Sequence, residues 1–215
     1  MKDRTSRLID AFFDRHPELI EMRTEMLKAC GSLLCAFQAG GKLLLCGNGG
    51  SCADCDHIVG ELMKGFHLRR PIPDPIRAEL EARYGESGKA LGMSLQGGLP
   101  AISLCNHAAL STAFANDADG EMVYAQQLTG YGRRGDVLMG ISTSGNAANI
   151  LHAFRLARVL GIITISLTGG DGGGIAGLSD ICLIAPERET YLVQECHLAM
   201  YHLICAYLES EMFAE

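Results

Sequence analysis

Five short apolar runs recur along the chain, and each one ends in a polar or glycine-rich break. They contain four to seven residues each and are nearly continuous in apolar side chains, not alternating. Runs of this kind are typical of strands that are buried on both faces of a sheet. We predict strands at Leu43–Cys46, Ala101–Cys105, Asp136–Ser142, Ile162–Leu167 and Ile181–Ile184.

Helical patterns separate these strands. Residues 5–39 repeat apolar side chains at three- and four-residue steps, with Pro17 as a break. Further helices are predicted after Ser51, over 75–95, after Asn146 and over 190–213. Strands that alternate with helices predict an α/β fold, in which helices flank a five-stranded parallel sheet on both faces and also form the two ends of the chain.

One stretch, residues 67–98, does not fit the alternation. Three prolines between residues 68 and 75 exclude a regular helix there, and the charged helical pattern of 75–95 follows. The stretch is too short to build a core of its own. We therefore interpret the chain as a single domain, residues 1–215, with 67–98 as an inserted excursion.

Two of the predicted strands end in loops that suit an anion. Gly47-Asn-Gly-Gly-Ser51 follows the first strand, and Ser142-Thr-Ser-Gly-Asn146 follows the third. A loop that opens a helix points free N–H groups and a positive dipole at phosphate, and ligands of parallel sheets bind at the carboxyl ends of the strands. Each loop alone is also compatible with a tight turn or a helix cap. The pair favours a phosphorylated ligand.

Titratable side chains on two helices form a second candidate site. His57 and Glu61 are four residues apart and share a helix face. Gln194 and His202 are eight apart, about two turns, and lie on nearly the same face of the terminal helix. Such nitrogen and oxygen donors suit a divalent metal such as zinc. A solvated pair and a core histidine are the alternatives, because the sequence does not show that the two helices meet.

Composition excludes several classes of protein. The 215 residues carry a formal net charge of −7, which argues against a nucleic-acid partner. No apolar run approaches the roughly 18 residues that cross a bilayer, so no membrane contact is expected. The N-terminus shows no signal-peptide pattern, and the odd count of nine cysteines fits a reducing compartment, so we expect a cytoplasmic protein.

The cysteines are predicted to be structural. Cys35, Cys46, Cys182 and Cys205 lie in apolar patterns and are expected to behave as small buried hydrophobes. Cys52-x-x-Cys55 has no second pair of ligands at zinc-finger spacing, so we interpret these two as cysteines that pack the helix.

Several longer segments together match the sequence pattern of one known family. They are Cys46-Gly-Asn-Gly-Gly-Ser51, Asp54-x-x-His57-x-x-x-Glu61-Leu62, Asn116-Asp117, Gly135–Asn146, Leu167-Thr-Gly, and Thr190-x-x-x-Gln194-Glu195-x-His197 with His202. Together they resemble the SIS (sugar isomerase) fold and, within it, the phosphoheptose isomerase family with its non-catalytic relative DiaA. The resemblance covers about residues 5–66 and 99–213.

The resemblance implies a role for each matching residue. The sugar phosphate is assigned to Ser142, Thr143 and Ser144. The remaining substrate contacts are assigned to Asn48, Gly49, Gly50, Ser51, Glu61, Asn116, Asp117 and Gln194. Zinc, one ion per subunit, is assigned to His57, Glu61, Gln194 and His202. The acid–base pair is assigned to Glu61 and His202.

The implied activity is an aldose–ketose isomerisation. The resemblance implies conversion of sedoheptulose 7-phosphate to D-glycero-D-manno-heptose 7-phosphate, in a homotetramer with active sites between subunits. The chemistry also follows from the side chains, because an enediol route needs a base for a carbon acid and a proton donor for two oxygens. A carboxylate and an imidazole supply both.

Three departures from the family pattern bear on substrate shape. Lys64-Gly65 stands where the family has an arginine, Ala147 where it has a serine, and residues 67–98 are longer than usual. They leave two alternatives open, namely an isomerase of another sugar phosphate and a DiaA-like binding protein without turnover. The intact acid–base and metal residues favour a catalytic protein.

Overall fold

The computed structural model describes residues 1–213, and a five-stranded parallel sheet lies at its centre. The order of the strands is β2-β1-β3-β4-β5. Their bounds are β1 Leu43–Gly47, β2 Ala101–Ser103, β3 Val137–Ile141, β4 Ile163–Thr168 and β5 Ile181–Ile184. The predicted sheet is confirmed. The predicted domain runs to residue 215, and residues 214 and 215 lie outside the described part.

Helices cover both faces of the sheet, as predicted. They are α1 Asp3–Arg15, α2 Arg23–Gln38, α3 Gly50–Met63, α4 Asp74–Ser94, α5 Ala108–Asp117, α6 Val123–Tyr131, α7 Ala148–Leu160, α8 Gly173–Ala176 and α9 Thr190–Met212. Short 3-10 helices lie at Pro17–Met22, Leu104–Asn106 and Gly120–Met122. Pro17 thus starts a 3-10 turn where a break was predicted. Within residues 1–213, no helix is long and apolar enough to cross a membrane.

The central strand β1 serves two cores, because successive side chains point to opposite faces. Leu43 and Leu45 of β1 pack into the core that α1, α2, α3 and α9 cover. Leu44 and Cys46 pack into the other core, under α6 and α7. All five residues of β1 are buried, which explains why the strand is a continuous apolar run.

A buried carboxylate joins the starts of β1 and β3. Asp136 is 3% exposed and accepts hydrogen bonds from the backbone N–H of Lys42 (3.0 Å), from Lys42 Nζ (2.7 Å) and from the backbone N–H of Arg133 (2.8 Å). These bonds hold the register in which Leu43 lies beside Val137. The opposite ends of the two strands, from which both candidate loops leave, are therefore aligned.

Helices α3 and α9 run side by side in the same direction. At their starts, a Cβ on Gly50 would lie 2.5 Å from Gln194 Nε2. Further along, His57 Nδ1 lies 2.9 Å from the Tyr201 hydroxyl. This pairing answers the question that the sequence left open, because the helix of His57 and Glu61 does meet the helix of His202.

The excursion contains a helical hairpin. Gly85 adopts a left-handed conformation (φ +57°, ψ −137°) that reverses the direction of α4. The second half then packs on the first, where Gly88 contacts Leu80 and the side chains of Lys89 and Glu81 lie 3.7 Å apart. The predicted helix over 75–95 is therefore present as two antiparallel segments.

A buried ion pair fixes the start of this excursion. Arg70 and Glu209 are 0% and 1% exposed, and Arg70 Nε donates to Glu209 Oε1 at 2.7 Å. The Glu209 carboxylate also accepts the backbone N–H groups of Phe66 (2.8 Å), His67 (2.7 Å) and Leu68 (3.1 Å). Burial would raise the pKa of Glu209, but these donors outweigh burial and hold that pKa below its usual value.

The rest of the Arg70 guanidinium caps helix α3. It donates to the carbonyl oxygens of Leu62 (2.7 Å) and Glu61 (3.1 Å). The ring of Phe213 lies 4.8 Å from the guanidinium carbon. Carbonyls at the end of a helix lack partners within the helix, so Arg70 satisfies two of them while it pairs with α9.

We expect Glu209→Gln to lower the free energy of unfolding by about 3–5 kcal/mol, because it leaves the Arg70 charge buried and unpaired. Urea denaturation followed by circular dichroism measures the change. The matched control is Glu79→Gln, which breaks the exposed Arg83–Glu79 pair and should cost no more than about 0.5 kcal/mol. Equal losses in the two variants would contradict the assignment.

Candidate active site

The two predicted anion loops lie next to each other at one edge of the sheet. Gly47 at the end of β1 is in register with Ile141 at the end of β3. An amide pair joins the two loops: Asn48 Nδ2 donates to Asn149 Oδ1 at 2.9 Å, and Asn149 Nδ2 donates to Asn48 Oδ1 at 3.0 Å. Sequence reasoning missed Asn149, although its position in the first turn of α7 is a signal that could have found it.

The glycine loop, residues 47–51, is held from behind by Tyr124 on α6. The Tyr124 hydroxyl donates to the carbonyl oxygen of Gly47 and lies 3.4 Å from Asn48 Oδ1. In front, the Gln194 side chain lies against Gly50, where an added Cβ would come within 2.5 Å of Gln194 Nε2 unless that side chain moved. The loop therefore lies between α6 and α9. Nothing in the sequence near Tyr124 marks it as a partner of this loop.

The Ser-Thr-Ser loop opens helix α7. Ser142 is buried, Thr143 is half-buried and Ser144 is exposed, so the loop offers hydroxyl groups at increasing depth. Ser144 Oγ accepts the backbone N–H of Asn146 at 3.3 Å, which is a local serine turn. The turn occupies the Asn146 N–H, so what the loop offers to a phosphate is its hydroxyl groups and the N-terminus of α7.

The acid–base residues meet where α3 lies beside α9. His57 Nε2 lies 3.2 Å from Glu61 Oε1, and the ring centroids of His57 and His202 are 5.0 Å apart. Lys64 Nζ lies 3.3 Å from the other Glu61 oxygen, Oε2. The residue that departs from the family pattern therefore contacts the predicted base directly.

A hydrogen-bond chain orients His57. The Tyr201 hydroxyl donates to Asp54 Oδ1 at 3.2 Å, so its oxygen accepts from His57 Nδ1 at 2.9 Å. With Nδ1 bound to Tyr201, Nε2 is the ring nitrogen that faces the Glu61 carboxylate. Sequence reasoning did not single out Tyr201, although it is the neighbour of His202 in the chain.

His202 is a neutral, partly buried imidazole. Burial is the main cause that lowers its pKa, and the nearby His57 lowers it further. Its Nε2 atom is buried and has no hydrogen-bond partner among the described residues. The ring also borders a cavity of about 240 Å³ between α1 and α9. His202 therefore has a nitrogen available for a substrate or a metal.

The contact between His57 and Glu61 bears on the predicted metal site. A lone pair on His57 Nε2 that faces a carboxylate is unfavourable unless a proton or a cation lies between them. Two ligands of a tetrahedral zinc ion are roughly 3.4 Å apart, close to the 3.2 Å from His57 Nε2 to Glu61 Oε1. Among residues 1–213, however, no three His, Cys, Asp or Glu side chains form a complete metal cluster. The donor types fit zinc, and the site stays a prediction.

The structure places the other predicted residues apart from this cluster. Gln194 contacts the glycine loop at Gly50, about two turns of α9 before His202. Asn116 and Asp117 are exposed at the end of α5, where Asn116 Nδ2 donates to Asp117 Oδ1 at 2.8 Å. Their assignment to the substrate stays a prediction.

The cysteine predictions are confirmed in part. Cys46, Cys55 and Cys205 are buried. Cys182 is only half-buried, and Cys35 is exposed, so the prediction that Cys35 is a buried hydrophobe is wrong. Cys35 lies on the outer side of α2, and the apolar pattern of that helix is too continuous to show which side faces the core.

Comparison with known proteins agrees with this fold. Residues 91–169 match the SIS domain family. A phosphoheptose isomerase of Crocosphaera subtropica is 40% identical over 179 residues, which are 83% of this chain and 78% of that protein. Another, of Helicobacter pylori, is 39% identical over 207 residues, 94% of both chains. The structure of phosphoheptose isomerase GmhA from Neisseria gonorrhoeae is similar, with a TM-score of 0.73 and 30% identity, and covers 97% of this chain and 98% of that one.

The parallel sheet, with its two anion loops at one edge, defines the chain as a SIS-domain protein. The identity to curated relatives extends over most of its length and makes the assignment more specific. The chain belongs to the phosphoheptose isomerase family.

One histidine of α9 serves the core and not the site. His197 is fully buried, and its Nε2 lies 3.1 Å from the carbonyl oxygen of Thr168. Burial lowers the pKa of His197 to about 4, although the hydrogen bond to Thr168 opposes the shift. The histidine is therefore neutral in the folded protein, and it ties α9 to the end of β4.

This shift predicts a pH-dependent stability. An unfolded histidine has a pKa of about 6.5, so the unfolded chain binds the proton first. The stabilisation is complete above pH 6.5 and is lost as the pH falls towards 4, with a total of about 3 kcal/mol. Urea denaturation at several pH values should show that, between pH 6.5 and 4, His197→Gln loses about 3 kcal/mol less free energy of unfolding than the wild type. The control His152→Gln should lose as much as the wild type. A His197→Gln variant that also loses as much as the wild type would contradict the prediction.

Proposed function

We propose that the protein is a phosphoheptose isomerase that interconverts sedoheptulose 7-phosphate and D-glycero-D-manno-heptose 7-phosphate. The observation that carries the proposal is the meeting of Glu61, His57 and His202 where α3, the helix that the glycine loop opens, lies beside α9. The names of the relatives support this substrate, since they are phosphoheptose isomerases.

The two loops bind the substrate, and helices α3 and α9 carry the acid–base residues. The Ser-Thr-Ser loop binds the phosphate through its hydroxyl and N–H groups. The glycine loop and Gln194 enclose the sugar, since Gln194 and Gly50 are in contact. The phosphate thus anchors one end of an open-chain sugar, and the other end, C1 and C2, lies towards Glu61 and His202.

The reaction moves one proton between C1 and C2 through an enediol. The Glu61 carboxylate takes the proton from C1 of the ketose and returns it to C2. His202 exchanges protons with the two oxygens, which suits an imidazole whose lowered pKa keeps it neutral. Arg70 holds the backbone carbonyl of Glu61 at 3.1 Å, so the base sits on a fixed helix end.

Zinc is proposed as the metal of this site. His57, Glu61 and His202 would hold it, whereas Gln194, the fourth ligand that the family resemblance implies, lies against Gly50 about two turns of α9 away. Tyr201 would orient His57 as ligand, since a hydrogen bond to the second ring nitrogen is the usual support of a metal-bound histidine. The ion would supply Lewis-acid polarisation of the carbonyl.

A homotetramer in the cytoplasm is also proposed. Helix α5 has no buried residue, although Leu110 lies on it and is 39% exposed. A helix with this exposure is expected to be covered by another subunit. Asn116 and Asp117 at its end would then reach the active site of a neighbouring subunit, which accounts for their distance from the His57 cluster in one chain.

We expect Glu61→Gln to lower kcat for sedoheptulose 7-phosphate by roughly 10²–10⁴-fold, because the amide cannot accept the carbon-bound proton. Nuclear magnetic resonance of the sugar products measures turnover. Glu86→Gln, on the exposed hairpin, is the control and should retain wild-type kcat.

The same assay separates the alternatives. A wild-type protein with zinc added that forms no aldose from sedoheptulose 7-phosphate would contradict the proposal. Turnover of a different sugar phosphate would then indicate an altered specificity at Lys64 or Ala147. Binding without turnover of any sugar phosphate would indicate a DiaA-like protein.

We expect His57→Ala to lose most of the bound zinc and Tyr201→Phe to weaken zinc binding by about 10–100-fold, because Tyr201 orients the ligand. Elemental analysis of protein purified without chelators, and zinc titration, measure both effects. The exposed-face control His152→Ala should retain the wild-type zinc content. Equal zinc in His57→Ala and wild type would show that the metal is bound elsewhere.

A further inference from the structure

Asn149 takes no part in the proposed isomerisation, yet its side chain meets the glycine loop directly. It lies in the first turn of α7, the helix that the Ser-Thr-Ser loop opens. Its amide and that of Asn48 exchange two hydrogen bonds, at 2.9 Å and 3.0 Å, across 101 positions of the chain. Each side chain gives the other one donor and one acceptor, so the two loops are joined through a matched pair of amides.

The backbone of α7 decides which way both amides point. The N–H of Ile150 lies 3.0 Å from the Asn149 side chain and needs an acceptor, so the atom that faces it is the oxygen Oδ1 and not the nitrogen. That choice turns Nδ2 of Asn149 towards Asn48, where the atom that accepts from it is Oδ1. The orientation of Asn48 therefore follows from one backbone N–H on the other side of the site.

This arrangement occupies the oxygen of Asn48 and leaves one of its N–H groups free. Asn48 Oδ1 accepts from Asn149, and the Tyr124 hydroxyl also lies 3.4 Å from it. One N–H of Asn48 Nδ2 donates to Asn149, and the second has no partner within residues 1–213. Asn48 is exposed, whereas Asn149 is half-buried. Asn48 therefore faces a ligand as a hydrogen-bond donor.

We propose that Asn149 is a positioning residue, which holds Asn48 as a donor to a hydroxyl oxygen of the bound sugar. The inference rests on the proposed function, in which the Ser-Thr-Ser loop binds the phosphate and the glycine loop lies along the sugar. A sugar chain that runs from the phosphate towards α3 passes the place where Asn48 and Asn149 meet, because these residues join the two loops. Without its partner, Asn48 would rotate and present its oxygen as readily as its nitrogen.

Binding of a sugar phosphate that cannot isomerise tests the inference without turnover. The probe is the heptitol 7-phosphate obtained by reducing the carbonyl of sedoheptulose 7-phosphate, and isothermal titration calorimetry measures its Kd. We expect Asn48→Ala to raise this Kd about 10-fold and Asn149→Ala to raise it about 3–10-fold, since a neutral hydrogen bond contributes roughly this much. The Kd for inorganic phosphate should change little in both variants, because the Ser-Thr-Ser loop is intact.

A double variant decides whether Asn149 acts through Asn48. If it does, the protein that carries both Asn48→Ala and Asn149→Ala should bind the heptitol phosphate as well as Asn48→Ala alone, since Asn149 then has nothing to orient. In turnover of sedoheptulose 7-phosphate, Asn149→Ala should raise KM and leave kcat almost unchanged, which indicates a contact made equally in the ground state and the transition state. The control Gln126→Ala removes an exposed amide from the neighbouring helix α6 and should match the wild type.

An unchanged Kd for the heptitol phosphate in Asn149→Ala would overturn the inference, and so would a double variant in which the two effects multiply. A loss of affinity for inorganic phosphate as large as that for the heptitol phosphate would also overturn it, because the pair would then support the Ser-Thr-Ser loop and not the sugar contact. These results leave the proposed function standing. Wild-type protein that binds inorganic phosphate but no heptitol phosphate would instead contradict the proposed function and, with it, this inference.

Discussion

The buried ion pair between Arg70 and Glu209 is the constraint on which the site depends. A buried charge is tolerated only when its partner and its hydrogen bonds are complete, and both side chains meet this condition here. Through it, the end of α3, the start of the excursion and the last turns of α9 form one unit. The backbone carbonyl of Glu61 accepts directly from Arg70, so the carboxylate that we propose as the base is positioned by an interaction that takes no part in the chemistry.

Loops at the strand ends and side chains on two helices form different parts of the candidate site. The sheet aligns the ends of β1 and β3, so their loops offer N–H groups and hydroxyls for a phosphate at a fixed place. Helices α3 and α9 supply the imidazole and carboxylate groups that we propose for proton transfer and for zinc. The Tyr201 bridge from His57 to Asp54 and the contact from Lys64 to Glu61 then tune the two ends of this pair.

The glycine loop connects the sheet to the surrounding helices. The Tyr124 hydroxyl and the Cys105 thiol both donate to the carbonyl of Gly47, and the Gln194 side chain lies beside Gly50. The loop is therefore packed from both sides.

The sequence by itself determined the five strands, the two anion loops and the His57–Glu61 pair, because these follow from local periodicity and from the fact that parallel strands end at one edge. Its motifs also showed the resemblance to the phosphoheptose isomerase family. Only the tertiary structure decided that α3 lies beside α9, that Tyr201 orients His57, and that Arg70 and Glu209 are buried together. These contacts join residues more than a hundred positions apart, and long-range packing leaves no periodic trace in either segment. Cys35 was wrongly expected to be buried because the apolar pattern of α2 is too continuous to show which side of the helix faces the core.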